Sequence, residues 1–273
     1  MSVERRPDRR TVIRLAGLGA VGWGLAACSG NDEASGRGSA GDPQTRTSAP
    51  ADQQQDSSTP SASAAEPRTV VATAVVDQLQ VFGAPRNPDT LGRPGRAELT
   101  LDRTTRVTGQ LVLLALEVGI AWTRVQLPVR PNGSIGWVRS SAVSLSGHDF
   151  AIDIALDAHL VVVTNGDREV LRSPVGVGRA DRPTPGGDYF TTELLRPPDP
   201  DGLYGPYAYG LSGYSDVLMD FRGGEGVIGI HGTNEPELVG TDVSSGCIRL
   251  PNEQIIRMVE QIGLPLGTPV TIR

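Results

Sequence analysis

The chain has 273 residues, 25 basic and 31 acidic side chains, a net charge of −6 and 38% hydrophobic residues, enough for one or two domains with sizeable cores. Every basic residue is arginine, which excludes Schiff-base and lysine general-base chemistry. Glycine (34) and proline (21) are abundant while aromatics make up 4%, favouring turn-rich β architecture or a disordered part.

Residues 1–27 have the pattern of a targeting segment. Arg5, Arg6, Arg9, Arg10 and Arg14 form a basic start, and residues 15–27 a short apolar run, too short for an ordinary membrane span. The stretch Asp8-Arg9-Arg10-Thr11-Val12-Ile13-Arg14 resembles a twin-arginine export signal, with Asp8 where Ser or Thr is usual. Leu25-Ala26-Ala27-Cys28 resembles a bacterial lipobox, which implies a lipid on Cys28 and a place on the outer face of the cell membrane, facing the wall. Removing the leader leaves 20 basic against 29 acidic residues, a net charge of −9, so there is no electrostatic case for a nucleic-acid partner.

Residues 28–68 are expected to form a disordered tether. Residues 29–66 contain no Leu, Ile, Val or Phe and bury too little apolar surface to offset their ordering entropy. Thirty-eight flexible residues reach on the order of 30–35 Å, which suits a head held off a membrane and working in a polymer layer.

Residues 69–146 begin the folded part. Apolar or alternating runs at 70–81, 97–101, 105–116, 122–127 and 135–138 predict short strands separated by Gly, Pro and Asn. Trp122-Thr123-Arg124-Val125 with Gly136-Trp137-Val138 resembles the core signature of a bacterial SH3-like barrel. Either wall binding or a plain spacer role would fit such a module.

Residues 150–273 form the second expected unit. Strands are predicted at 151–156, 159–164 and 169–177, with Asn165-Gly166 as a hairpin turn. His159 and His148 have the setting of inert surface residues. Residues 196–213 predict a long loop dense in Pro, Gly and Tyr, whose Tyr204, Tyr207 and Tyr209 either line a cleft or pack on the sheet. Asn252 is expected to cap a helix carrying Ile255, Ile256, Val259 and Ile262 and ending at Gly263, before a closing strand at 269–272.

The chemistry concentrates in residues 227–250, VIGIHGTNEPELVGTDVSSGCIRL. His231 ends a short apolar strand and Cys247 lies sixteen positions later, each beside a glycine. Singly, such a histidine is more often structural and such a cysteine a small buried hydrophobe. As a pair they supply a thiol nucleophile and an imidazole that takes its proton and lowers its effective pKa. Gly246 permits a turn that aims successive N–H groups at an oxyanion. Arg249, two residues along a strand from Cys247, shares its face and either holds a substrate carboxylate or ties down the loop. With Cys28 lipidated, Cys247 has no disulfide partner in the chain, and an unpaired thiol in an oxidising compartment is a liability unless it is used.

His-Gly, a spacer, then Ser244-Ser245-Gly246-Cys247-Ile248-Arg249-Leu250 resembles the active-site signature of the L,D-transpeptidase catalytic domain family, and the Thr184-Pro185-Gly186-Gly187 turn fits the same family. One departure is Ser245, where many members have a second histidine. The resemblance implies a mainly β chain: a β-sandwich catalytic domain with one short C-terminal helix, preceded by the small SH3-like barrel. It implies Cys247 as nucleophile and His231 as base, with Gly246 and Ser245 at the oxyanion loop. Substrate contacts are implied for Arg249, Ser244 and Tyr207, with residues 196–213 as a flap. Peptidoglycan stem peptides are the implied partners, with no cofactor or metal, and a monomer is expected. The implied reaction is cross-link formation by acyl transfer from a tetrapeptide stem to an amine. An L,D-carboxypeptidase using water and a non-catalytic wall-binding lipoprotein are the alternatives.

Overall fold

The computed structural model describes residues 67–85, 97–104, 109–219 and 225–273. The expected leader, Cys28 and almost all of the tether lie outside these residues. Among the described residues, seven strands precede residue 150: β1 (Thr69–Ala74), β2 (Gln78–Val81), β3 (Leu99–Asp102), β4 (Val112–Val118), β5 (Trp122–Gln126), β6 (Ile135–Arg139) and β7 (Val143–His148). Five form an antiparallel sheet in the order β6-β5-β4-β1-β7. β2 and β3 pair as a ribbon that joins β6 through a Phe82–Trp137 bridge. Alternation drives the pleat: Leu79, Val81, Leu113, Val125 and Val138 point inward and are buried.

Ten strands follow: β8 (Phe150–Ala155), β9 (Leu160–Asn165), β10 (Arg168–Pro174), β11 (Val177–Gly178), β12 (Gly187–Leu195), β13 (Ala208–Tyr214), β14 (Val227–His231), β15 (Asp242–Ser244), β16 (Ile248–Arg249) and β17 (Pro269–Ile272). Eight build one mixed sheet, ordered β10-β9-β8-β17-β12-β13-β14-β16. The sheet curls at β12, whose first half, Gly187 to Phe190, pairs with β17 while its second half, from Thr191, pairs with β13. Ile152, Ile154, Val161, Val163, Ile230 and Ile248 fill the larger core. β12 also serves both cores: Tyr189 packs into the larger one and its neighbour Phe190 into that of the N-terminal sheet. Gln126 Nε2 donates to the Asp188 carbonyl at 2.6 Å across the same seam.

Two expectations are corrected. The loop after β12 ends at Tyr207, because Ala208–Tyr214 is a strand paired on both sides, to β12 and β14. Its Gly and Tyr content suggests a loop, but Tyr209 and Leu211 alternate into the core, and pairing on two edges outweighs weak strand propensity. Asn252 does not cap the helix. The α-helix α1 (Asn252–Ile256) has Pro251 at its N-cap position, and it continues as a π-helical turn, Arg257–Gln261. There Ile262 N–H reaches Arg257 O at 2.9 Å. The wider turn breaks the 3.6-residue period, so Ile255 and Met258 are the fully buried positions.

Candidate active site

β14 and β16 run parallel at the edge of the curled sheet, with Ile230 opposite Ile248 and His231 opposite Arg249. That register sets Cys247 beside Gly229, one residue before each paired position. Side chains alternate along a strand, so Gly229 and His231 share one face of β14, and Cys247 opens onto it. Cys247 and His231 line one cleft, walled by Leu203 and Tyr204 from the loop after β12, by Ser215, Leu218, Gly226 and Val227, and by Ser244, Ser245 and Arg249.

His231 is 3% exposed. Its Nδ1 lies 2.6 Å from the Gly232 carbonyl oxygen; a carbonyl only accepts, so Nδ1 carries the hydrogen of the neutral ring. That tautomer leaves a lone pair on Nε2. The Tyr204 ring stands edge-on to the imidazole, centroids 4.9 Å apart. Burial pushes the His231 pKa down to about 4, opposed by the Gly232 hydrogen bond and reinforced by the positive charge of Arg249. The ring is therefore neutral at pH 7. The Gly232 carbonyl orients the ring; Asp242 lies elsewhere, its Oδ1 accepting from His159 Nε2 at 2.8 Å.

Cys247 is partly exposed and free of any disulfide. Burial raises its thiol pKa, while a hydrogen bond with the Gly229 backbone and the Arg249 charge pull it down by less. This reverses the expected lowering: a neutral imidazole offers no positive charge to hold a thiolate. The resting pair is thiol and imidazole, not an ion pair.

The turn before Cys247 is tightly specified. Gly246 has φ +115°, a conformation an L side chain rarely adopts. Ser244 is buried; its hydroxyl accepts from Gly246 N–H at 3.0 Å and donates to Cys247 O at 2.6 Å. Gly246 N–H is thus already committed, so the expectation that it faces an oxyanion is corrected; Gly246 acts through its backbone angle. Among the described residues the Cys247 N–H has no such partner. Ser245 is held at the rim by Arg182, Nη1 to Oγ 3.3 Å. The Thr184 hydroxyl accepts from Gly178 N–H at 2.8 Å, fastening the Thr-Pro turn to β11, which in turn pairs with β15 in the parallel register Gly178 to Ser244.

Arg249 shares the cleft, but its guanidinium is paired with Glu235, Nη1 to Oε2 2.6 Å, at 12% side-chain exposure. Its buried Nε has no partner among the described residues. Tyr207 is not at the cleft. It is 5% exposed, donates to Glu260 at 2.6 Å and bonds Arg196; Tyr204 takes the place sequence gave it. His148 ends β7, its Nδ1 accepting from Phe150 N–H at 3.1 Å.

Asn252 is a site residue that sequence reasoning missed. Its Oδ1 accepts from Thr233 N–H at 2.8 Å and wedges against Gly232, where any Cβ would lie 2.3 Å from that oxygen. Gly232 therefore allows the close approach that fixes the carbonyl facing His231. The only sequence signal was an amide side chain five positions after the cysteine.

Comparison with known proteins places this geometry. The YkuD family, described as the L,D-transpeptidase catalytic domain, matches residues 149–272. The L,D-transpeptidase-type protein YqjB of Bacillus subtilis is 32% identical over 131 residues, 47% of this chain and 73% of that one. YkuD of the same species is 31% identical over 123 residues, 45% of this chain and 65%, just under two thirds, of that relative. A crystal structure of L,D-transpeptidase 3 from Mycobacterium tuberculosis with a faropenem-derived adduct aligns at 18% identity and a TM-score of 0.39, covering 60% and 91% of the two chains. On its sequence relatives, this chain belongs to the L,D-transpeptidase catalytic domain family.

Proposed function

We propose that the protein is a peptidoglycan L,D-transpeptidase that forms cross-links by cysteine acyl transfer. The observation that carries this reading is a free thiol and an Nδ1-protonated, uncharged imidazole facing one cleft. Cys247 attacks the carbonyl joining the third stem residue to a terminal D-Ala, and its S–H proton passes to His231 Nε2 as the S–C bond forms. The Cys247 N–H stabilises the oxyanion. The imidazolium then protonates the leaving D-Ala amine as the C–N bond breaks. The amine of a second stem attacks the thioester, gives a proton to Nε2, and expels the sulfur, which recovers its proton. Nε2 of the resting ring carries the lone pair that starts this cycle, and catalytic contacts commonly tighten only when substrate binds. Arg249 serves the substrate through its positive charge at the cleft wall, and Ser244 and Ser245 shape the loop.

The same proposal places the chain outside the cell membrane, lipid-anchored through Cys28, with residues 69–146 as an SH3-like module and 150–273 as the catalytic unit. Its support is the lipobox-like sequence and the tether composition.

The test is intact mass of the full chain after incubation with a tetrapeptide stem or a carbapenem. A covalent adduct on wild type that is absent from Cys247→Ala is expected. No adduct, or one that survives the substitution, overturns the reading. Product formation that needs an added amine separates transpeptidase from carboxypeptidase, in which water resolves the same thioester.

A further inference from the structure

We propose that Arg130, in the turn between β5 and β6 of the N-terminal sheet and outside the matched catalytic segment, is a positioning residue that sets one wall of the Cys247–His231 cleft. The wall residues Ser215, Leu218 and Gly226 belong to the connection between β13 and β14, and Val227 opens β14. Three carbonyls of that connection converge on one guanidinium: Arg130 Nη1 donates to Ser215 O at 3.0 Å, and Nη2 donates to Leu218 O and Glu225 O, each at 3.1 Å. A planar fork with five donors can span three acceptors; an ammonium, a compact point of charge, fits that spread poorly. The same guanidinium lies 4.9 Å from the Tyr214 ring centroid.

The neighbouring residues make the clamp rigid. Asn132 exchanges two hydrogen bonds with the Tyr214 backbone, Nδ2 to O at 2.8 Å and N–H to Oδ1 at 2.9 Å. Tyr214 Oη donates to Pro128 O at 2.7 Å. Within the wall, Ser215 N–H reaches Gly226 O at 2.8 Å, and the Ser215 hydroxyl accepts from Leu218 N–H at 3.1 Å. Leu218 is itself half-exposed and Val227 exposed, so hydrophobic packing does little to fix this wall. Backbone carbonyls held by a side chain from the β5–β6 turn do it instead. The N-terminal sheet then has a role in substrate fit, beyond spacing.

This inference rests on the enzymatic reading for its kinetic arm only. Full-length wild type, Arg130→Met, Arg130→Lys and Arg68→Met are compared. Arg68→Met breaks an ion pair between the N-terminal segment and Asp167 in the turn between β9 and β10, at the far edge of the eight-stranded order. The first readout is the rate of Cys247 labelling by a bulky maleimide relative to iodoacetamide, resolved from Cys28 by peptide mass. The second is kcat and KM for a tetrapeptide stem.

Arg130→Met is expected to change the labelling ratio about fivefold and raise KM about tenfold with kcat within about twofold, the pattern of lost ground-state fit. Arg130→Lys should recover part of both, and Arg68→Met neither. A lower Tm for Arg130→Met with wild-type ratio and KM overturns the proposal, leaving a structural strut. If Arg130→Met does not fold, Asn132→Ala must move the ratio in either direction, and an unchanged ratio there overturns it equally. If wild type turns over no stem, the enzymatic reading fails while the labelling ratio still decides the clamp.

Discussion

Glu235 and Arg249 meet at 2.6 Å, fourteen residues apart in sequence, at the side of the cleft that Arg249 lines. The pair neutralises a guanidinium that stands beside both His231 and Cys247 and draws both pKa values downward. Arg249→Met removes that charge, so the Cys247 pKa rises further. The pH profile of Cys247 alkylation by iodoacetamide should then move to higher pH. A profile that stays in place would mean that Arg249 is electrostatically silent at the sulfur.

The protonation of Cys247 is open to direct measurement. A thiolate–imidazolium pair gives a labelling rate that is already high in mild acid. With a neutral ring and a thiol raised by burial, the rate should be low in acid and keep climbing past the ordinary thiol pKa. Ultraviolet thiolate absorbance, with Cys247→Ala as blank, gives the same answer without a reagent.

His231 makes stability depend on pH in a defined window. The unfolded ring takes a proton near pH 6.5, whereas the folded ring does so only near pH 4. Above 6.5 both states are neutral and the residue contributes no slope. As pH falls from 6.5 towards 4, the unfolded state binds the extra proton and stability drops by up to about 3 kcal/mol, with no further loss below. Denaturant midpoints between pH 7 and 4 should show this fall, and His231→Gln should flatten it.

Gly246→Ala forces a side chain into φ +115°, at a cost of about 1–3 kcal/mol. The turn either absorbs that strain or shifts the sulfur. Thermal melts should report the first and Cys247 labelling rates the second. Wild-type values in both would mean that the turn relaxes freely.

Asn252→Ala leaves Thr233 N–H without its acceptor and opens a gap beside Gly232, costing about 1–3 kcal/mol. Because the residue is not the helix cap, helical circular dichroism at low temperature should stay at its wild-type value. A loss of helical signal would restore the cap assignment.

Much of the architecture was legible because strand periodicity is local. Alternation located β8, β9 and β17 within a residue and β10 within three, and the hairpin closes at Gly166, where φ is +61°. The segment 208–214 was misjudged because its strand character comes from partners on both edges, which no local pattern encodes. Tyr207 was assigned the substrate contact, whereas Tyr204 is the tyrosine at the cleft, for a related reason. Three tyrosines in one stretch look alike in sequence, and only the path of the chain decides that one reaches Glu260 and another the imidazole.

Residue types along the chain were enough to read it as mainly β and to find a cysteine and a histidine in a family signature, because residue type, spacing and period are properties of neighbours along the chain. Tertiary structure alone decided which hydrogen His231 carries, that Gly246 N–H is already bonded, that Glu235 neutralises Arg249, and that Arg130 reaches the cleft wall. Each of these depends on desolvation, on the backbone angles of a tight turn, or on a contact between residues distant in sequence, and these exist only once the chain has folded.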